Sequence, residues 1–262
     1  MDAKTPSMTR IPARDIPLPM SISAEAQAHL TAPVSQRPEY PPPHDKAAWR
    51  ALVAAADEGL LPLLRRINPA APAQVEERDA DGARVFDILP ASVPADSRPV
   101  ILEMHGGGLY LCGGELCRLM GVGVAVRYQR RVWSVDYRMP PDHPYPAALD
   151  DAVAAYRALL RERSSKEIIV SGGSAGGNIA AALILRARDE GLPLPAGCLL
   201  NTPEIDLTES GDSFHTNLGV DPALRSLMPV NLLYANGHDL KHPYLSPLFG
   251  DFAKGFPPTA AR

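Results

Sequence analysis

Residues 168–180 read Ile-Ile-Val-Ser-Gly-Gly-Ser-Ala-Gly-Gly-Asn-Ile-Ala. The stretch opens as a β-branched run, which favours a strand. It closes in small residues with a helical pattern, and between the two lie glycines flanking Ser174. A strand, a sharp turn and a helix, with Gly172, Ser174 and Gly176 at alternate positions, lift a serine hydroxyl out of the fold. The turn is strained, so the residues beside the serine must be small. Such a serine suits nucleophilic attack, which calls for a base and for an acid that orients the base.

Upstream, His105-Gly106-Gly107-Gly108 follows a short apolar run at 100–104. Acyl transfer needs backbone N–H donors aimed at the developing oxyanion, and glycines let the main chain approach that closely. The expected donors are Gly107, Gly108 and Ala175, the last being the residue after the serine. His105, with Gly106, is expected to support this loop from beneath rather than act as a base. Other readings of the glycines fail on spacing. A dinucleotide Gly-x-Gly-x-x-Gly from Gly172 would need glycine at Ser174, and one from Gly106 would need it at Leu111. A phosphate loop through Gly108 and Gly113 would need lysine at Gly114.

The remainder of the chain frames these motifs. Its 262 residues carry a net charge of −4 with both signs dispersed, and no basic stripe points to nucleic acid or an anionic membrane. Three cysteines, Cys112, Cys117 and Cys198, favour reduced thiols over a disulfide scaffold. Cys112 and Cys117 read as buried small filler. No leader pattern or membrane-length apolar run is visible, so a cytoplasmic protein is expected.

Residues 1–44 are proline-rich and weakly periodic, with one short helix at 24–30. Asp45 stands where it can cap a helix running to about 64, which Pro62 should kink or shorten. Strands are expected at 75–78 and 85–89, joined by Asp79-Ala80-Asp81-Gly82, a hairpin signal. Beyond them strands at 100–104, 131–135, 167–171 and 196–201 alternate with helices at 116–128, 147–163 and 174–191. That alternation implies an α/β fold with a mostly parallel sheet covered on both faces. After Asn201 the chain is turn-rich, with short helices at 222–227 and 229–234.

With these motifs in order, the chain resembles the hormone-sensitive-lipase family of bacterial carboxylesterases, within the α/β-hydrolase superfamily. The matching pieces are His105–Gly108 with Gly113, Asp136-Tyr137-Arg138 followed by residues 140–151, and residues 172–178. Segments 203–212 and 246–258 also fit. Gly173 departs from the pattern, because many members carry Asp there. The resemblance implies an N-terminal arm and cap at 1–70 and a hydrolase core at 71–204. It further implies a cap-like segment at 205–245 and the end of the core at 246–262. It also implies hydrolysis of small-molecule esters with short to medium acyl chains, using no metal and no organic cofactor.

In that family the triad Asp and His follow a Phe-Pro-Pro-Thr segment, here residues 256–259, and this sequence closes at Arg262. The expectation is therefore a truncated chain lacking the last two strands and both triad partners. An exposed sheet edge would then favour homo-oligomers. Glu204 and Asp206 lie where a substitute acid could stand, against the ordinary reading of solvated turn carboxylates. His215, His238 and His242 follow Ser174 and read as cap or surface histidines. His238 and His242 have a His-x-x-x-His spacing, but Asn236-Gly237 and Pro243 interrupt the helix that a metal pair requires. A homologue that binds small ligands without turnover is the alternative to an esterase.

Overall fold

The computed structural model describes residues 15–31, 39–67, 72–217 and 225–262. It divides into two units, Met1–Glu39 and Tyr40–Arg262. In the first, the short helix expected near 24–30 is α1 (Ala24–Thr31). The second opens with α2 (Lys46–Ile67). Asp45 caps it, its Oδ1 accepting the Ala48 N–H at 3.0 Å. Pro62 neither stops nor shortens this helix, which runs on to Ile67. Proline removes the donor for the Glu58 carbonyl, but both residues are exposed, so water can take the donor's place.

β1 (Ala73–Ala80) and β2 (Ala83–Pro90) form an antiparallel hairpin. The turn residues Asp81 and Gly82 both have positive φ, 58° and 89°, as a tight two-residue hairpin turn requires. There follow β3 (Val100–Met104), α3 (Glu115–Tyr128), β4 (Arg131–Val135) and α4 (Ala147–Glu162). Then come β5 (Ile168–Gly173), α5 (Ala175–Asp189) and β6 (Gly197–Asn201). The sheet order is β1-β2-β4-β3-β5-β6-β7, antiparallel through the β2–β4 pair and parallel beyond it. β7 is Thr259–Ala261. This corrects the expectation that the last two strands are both absent. Cys198 N–H donates to Pro258 O at 2.9 Å, which draws the chain alongside β6 for three paired residues.

Every residue of β3 is buried, as a strand covered on both faces should be. On one face Phe86, Ile88, Ile101 and Val132 pack against Cys117, Val122 and Ala125 of α3. On the other, Leu102, Met104, Trp133, Val135 and Val170 pack against α4 and α5 through Ala152, Tyr156, Ile179 and Leu183. The faces follow from connectivity. The chain steps from β3 outward to β4 by way of α3, then crosses back to β5 by way of α4. Right-handed crossovers in opposite directions must lie on opposite faces. The adjacent strands β3 and β5 therefore send their following loops to opposite sides, and a crevice opens at their C-terminal ends. Both motifs, residues 105–108 and 172–176, leave the sheet at that crevice.

Above it, the turn-rich segment supplies α6 (Asp212–Thr216) and α7 (Met228–Ala235). The helix expected at 222–227 lies largely outside the described residues, and the one expected at 229–234 is α7. Trp49 of α2 is fully buried against Val230 and Leu233 of α7, with Tyr40, Leu52 and Tyr110 completing the cluster. Tyr110 belongs to the glycine loop, so α2 and α7 meet over that loop.

Candidate active site

Only Ser174 separates β5 from α5, and it is strained, with φ 54° and ψ −123°. For a residue with a Cβ that conformation is costly and persists only where the surroundings over-determine it. Here four bonds hold it, among them one from Asn178 N to Ser174 O at 3.3 Å. Its N–H donates to Asn201 O at 2.9 Å, and its own carbonyl accepts from Gly177 N at 2.9 Å and Glu204 N at 3.1 Å. Close packing explains the flanking glycines. A Cβ on Gly172 would collide with the main chain of Gly176, and one on Gly176 with the carbonyls of Met104 and His105. Gly173 is different, since its Cβ would meet nothing nearer than Asn201 at 3.7 Å. A side chain fits at the position where the sequence departs from the pattern of the family it resembles. Ser174 itself is exposed while Gly172, Ala175 and Gly176 are buried.

The glycine loop lies against this turn, with a Cβ built on Gly106 standing 3.1 Å from Gly173 O and 3.6 Å from Ser174 Cβ. Gly107, Gly108 and Leu109 have positive φ of 134°, 60° and 68°. This left-handed run turns the peptide N–H groups away from ordinary backbone pairing, while Gly107 O accepts from Tyr110 N and Leu111 N. Among the described residues, the N–H groups of Gly107, Gly108 and Ala175 donate to no protein acceptor. That leaves them available to an anion beside the serine.

His105 is 1% exposed, and its Nδ1 lies 2.8 Å from Gly106 O. Burial holds its pKa below the ordinary value. The ring stacks on Tyr137 at 4.1 Å, and Tyr137 Oη donates to His105 O at 2.6 Å. Two carboxylates clamp the far end of the loop. Asp57 Oδ1 accepts from Cys112 N at 2.9 Å, and Asp136 Oδ1 from Gly114 N at 2.8 Å. Arg138 in turn is gripped by Asp151, with Nη2 to Oδ1 at 2.7 Å. The work of Asp136, Tyr137 and Arg138 is not written in the sequence around them. The partners lie many residues away, so no local pattern carries the signal.

The two substitute acids part company. Glu204 lies beside the serine turn, its N–H on Ser174 O and its carbonyl accepting from the buried Asn178 Nδ2 at 2.8 Å. Burial, with the charge of Glu209, pushes its carboxyl up to about 7 against a hydrogen bond from Asn231. Asp206 instead closes its own turn, accepting from Thr208 Oγ1 at 2.5 Å and Ser210 Oγ at 2.6 Å. Burial acts to raise its pKa, and the bonds from Ser210 and Thr208 outweigh it, leaving the carboxyl low. His215 lines a shallow cleft with Ser226 and Met228. His238 and His242 stand beside Tyr145, with ring centroids 5.0 and 6.3 Å away. No imidazole is hydrogen-bonded to Ser174 Oγ among the described residues. One group of metal-type ligands does converge among them, and it is His105, Cys117 and Asp136 rather than the His238 and His242 pair.

A sequence model of the family described as alpha/beta hydrolase fold matches residues 101–261. The chain is 35% identical over 179 residues to an esterase of Acinetobacter venetianus, covering 64% of this chain and 56% of the relative. It is 35% identical over 161 residues to an acetyl-hydrolase of Streptomyces hygroscopicus, covering 60% and 54%. The chain thus spans little more than half the length of these curated relatives. Among solved structures, esterase E25 is 34% identical with a TM-score of 0.83, covering 97% of this chain and 80% of that one. An esterase from the bacterial hormone-sensitive lipase family is 29% identical with a TM-score of 0.72, covering 87% and 73%. No helix among the described residues is long and apolar enough to cross a membrane.

Proposed function

This chain belongs to the α/β hydrolase fold family, in the hormone-sensitive-lipase branch that its esterase relatives represent, and on that footing we propose that it is a carboxylic ester hydrolase. Its substrates are small esters of short to medium acyl chain, and Ser174 is the nucleophile. Ser174 Oγ attacks the acyl carbon, and the oxyanion of the tetrahedral intermediate is received by the N–H groups of Gly107, Gly108 and Ala175. The alcohol leaves, and water releases the acid from the acyl-serine. The observation that carries this reading is an exposed, strained Ser174 with the glycine loop packed against its turn, together with three backbone N–H groups that have no acceptor of their own.

Deprotonation of the serine is the weak step. The described residues supply no imidazole at Ser174 Oγ, so turnover by these residues rests on the oxyanion donors and on binding. Those contributions alone are worth roughly 10³–10⁴ over the reaction in water. Glu204, raised to about 7 and bonded through its main chain to Ser174, is the residue best suited to assist. The same observation favours a second reading, a hydrolase-like protein that binds small acyl ligands with little or no turnover.

Hydrolysis of p-nitrophenyl butyrate by the chain and by Ser174→Ala tests both. A weak rate that Ser174→Ala abolishes supports the esterase. Equal rates for the two proteins overturn it, and saturable butyrate binding in that case favours the second reading.

A further inference from the structure

Beneath the glycine loop, ligand-type side chains from three different elements converge. His105 leaves the end of β3, Cys117 lies in the first turn of α3, and Asp136 follows β4. Their ligating atoms all lie within 4.8 Å of one another. No step of the ester hydrolysis passes through this group, although His105 and Asp136 help to hold the glycine loop. His105 is 1% exposed and Cys117 fully buried. The imidazole Nδ1 sits 2.8 Å from Gly106 O, so that nitrogen carries the proton and Nε2 presents its lone pair. Nε2 is buried and meets no partner. A buried acceptor left without a donor calls for an explanation. Metal-bound imidazoles have this same form, with one nitrogen donating to a carbonyl and the other on the ion.

The other two side chains complete a borderline-soft set. Cys117 Sγ is 3.3 Å from Ser134 Oγ and 3.6 Å from Val135 O. Once the sulfur is a thiolate, the Ser134 hydroxyl can donate to it. Asp136 Oδ1 accepts from Gly114 N at 2.8 Å and Oδ2 from Arg84 Nη1 at 3.2 Å. Each oxygen keeps a further lone pair. Imidazole, thiolate and carboxylate together are zinc ligands. Bond lengths of about 2.0–2.3 Å place tetrahedral ligand atoms about 3.3–3.8 Å apart, so the group must close by about 1 Å. Closing the group requires the Asp136 carboxylate to shift against Gly114 N and Arg84, and the Cys117 side chain to turn from Val135 O.

We propose that His105, Cys117 and Asp136 form a binding site for a zinc-class divalent cation beneath the oxyanion loop. As the ion enters, the Cys117 thiol proton leaves to solvent and the sulfur–metal bond forms, with no change of oxidation state. Three protein ligands leave the fourth position to water. The Nε2 lone pair finds its partner there.

The test reads metal binding directly and does not depend on hydrolysis. Cd²⁺ is titrated into the reduced full chain, and the ultraviolet charge-transfer band of a cadmium thiolate is followed, with Zn²⁺ as competitor. The expected result is a band that saturates at one ion per chain, is displaced by Zn²⁺, and persists in Cys112→Ser/Cys198→Ser, which keeps Cys117 as its only thiol. Cys117→Ser should lose the band, and Asp136→Asn should weaken affinity by about 10–100-fold. Absence of a saturable band from the wild type or from Cys112→Ser/Cys198→Ser overturns the proposal, as does a full band in Cys117→Ser. If circular dichroism shows Cys117→Ser unfolded, unchanged affinity in Asp136→Asn overturns it instead.

Discussion

Glu103→Gln should stabilise this protein at alkaline pH and do little in acid. Glu103 sits within β3, in register with Ser134 of β4 and Ser171 of β5. It is 7% exposed, and its Oε2 meets no partner. Burial raises its pKa from 4.5 to about 7, against the hydrogen bond from Ser171 and the charge of Arg127. The fold thus prefers the protonated acid. A group whose folded pKa lies above its unfolded one contributes stability that is full below the unfolded value and is lost as pH rises through the folded value. Here the window runs from 4.5 to about 7. At about 1.4 kcal/mol per pH unit, ionising the buried carboxyl costs the wild type about 3 kcal/mol by roughly pH 8.5 and about 1 kcal/mol at pH 5. Glutamine keeps the shape and carries no charge, so its advantage should grow by about 2 kcal/mol between those conditions. Urea unfolding of both proteins, followed by circular dichroism at the two pH values, measures that growth. A constant offset between wild type and variant, or an advantage that shrinks with rising pH, refutes the reasoning.

Two glycines of the serine turn should respond in opposite ways. Gly176→Ala drives a Cβ into the carbonyls of Met104 and His105, which are backbone and cannot rotate aside. It should cost about 3 kcal/mol or more, read as a fall in Tm of roughly 6–12 °C. Gly173→Asp meets only ordinary contact with Asn201 at 3.7 Å. Its stability should stay within about 0.5 kcal/mol of wild type in the same melt.

The strands that hold the site were legible because their physics is local. A strand buried on both faces reads as an apolar run, and 100–104 and 131–135 are β3 and β4 to the residue. Asp81-Gly82 announces its own turn, since both residues tolerate positive φ. The serine turn and the glycine loop were legible because small residues at fixed spacing mark each of them, although Gly176 is required by carbonyls at the other motif. Elements decided by distant neighbours were not. Whether Pro62 ends α2 depends on water reaching the carbonyl one turn back. Thr259–Ala261 becomes a strand because β6 offers an edge, and nothing within three residues encodes that. The Tyr137 bond to His105 spans 32 positions, and the Asp57 bond to Cys112 spans 55. The spacing of His238 and His242 along the chain is a local signal. The convergent ligands come from three separate elements, which no spacing rule joins.

Gly176 approaches the carbonyls of Met104 and His105 so closely that no Cβ fits between them. It ties the first turn of α5 to the point where β3 becomes the glycine loop. The serine turn and the glycine loop therefore do not come together through the cap or through any base. They meet because β3 and β5 are hydrogen-bonded neighbours, Met104 beside Gly172, with loops that diverge from one crevice. Among the described residues, no imidazole joins that frame at Ser174 Oγ. Presentation of the nucleophile and removal of its proton are thus physically separable in this fold.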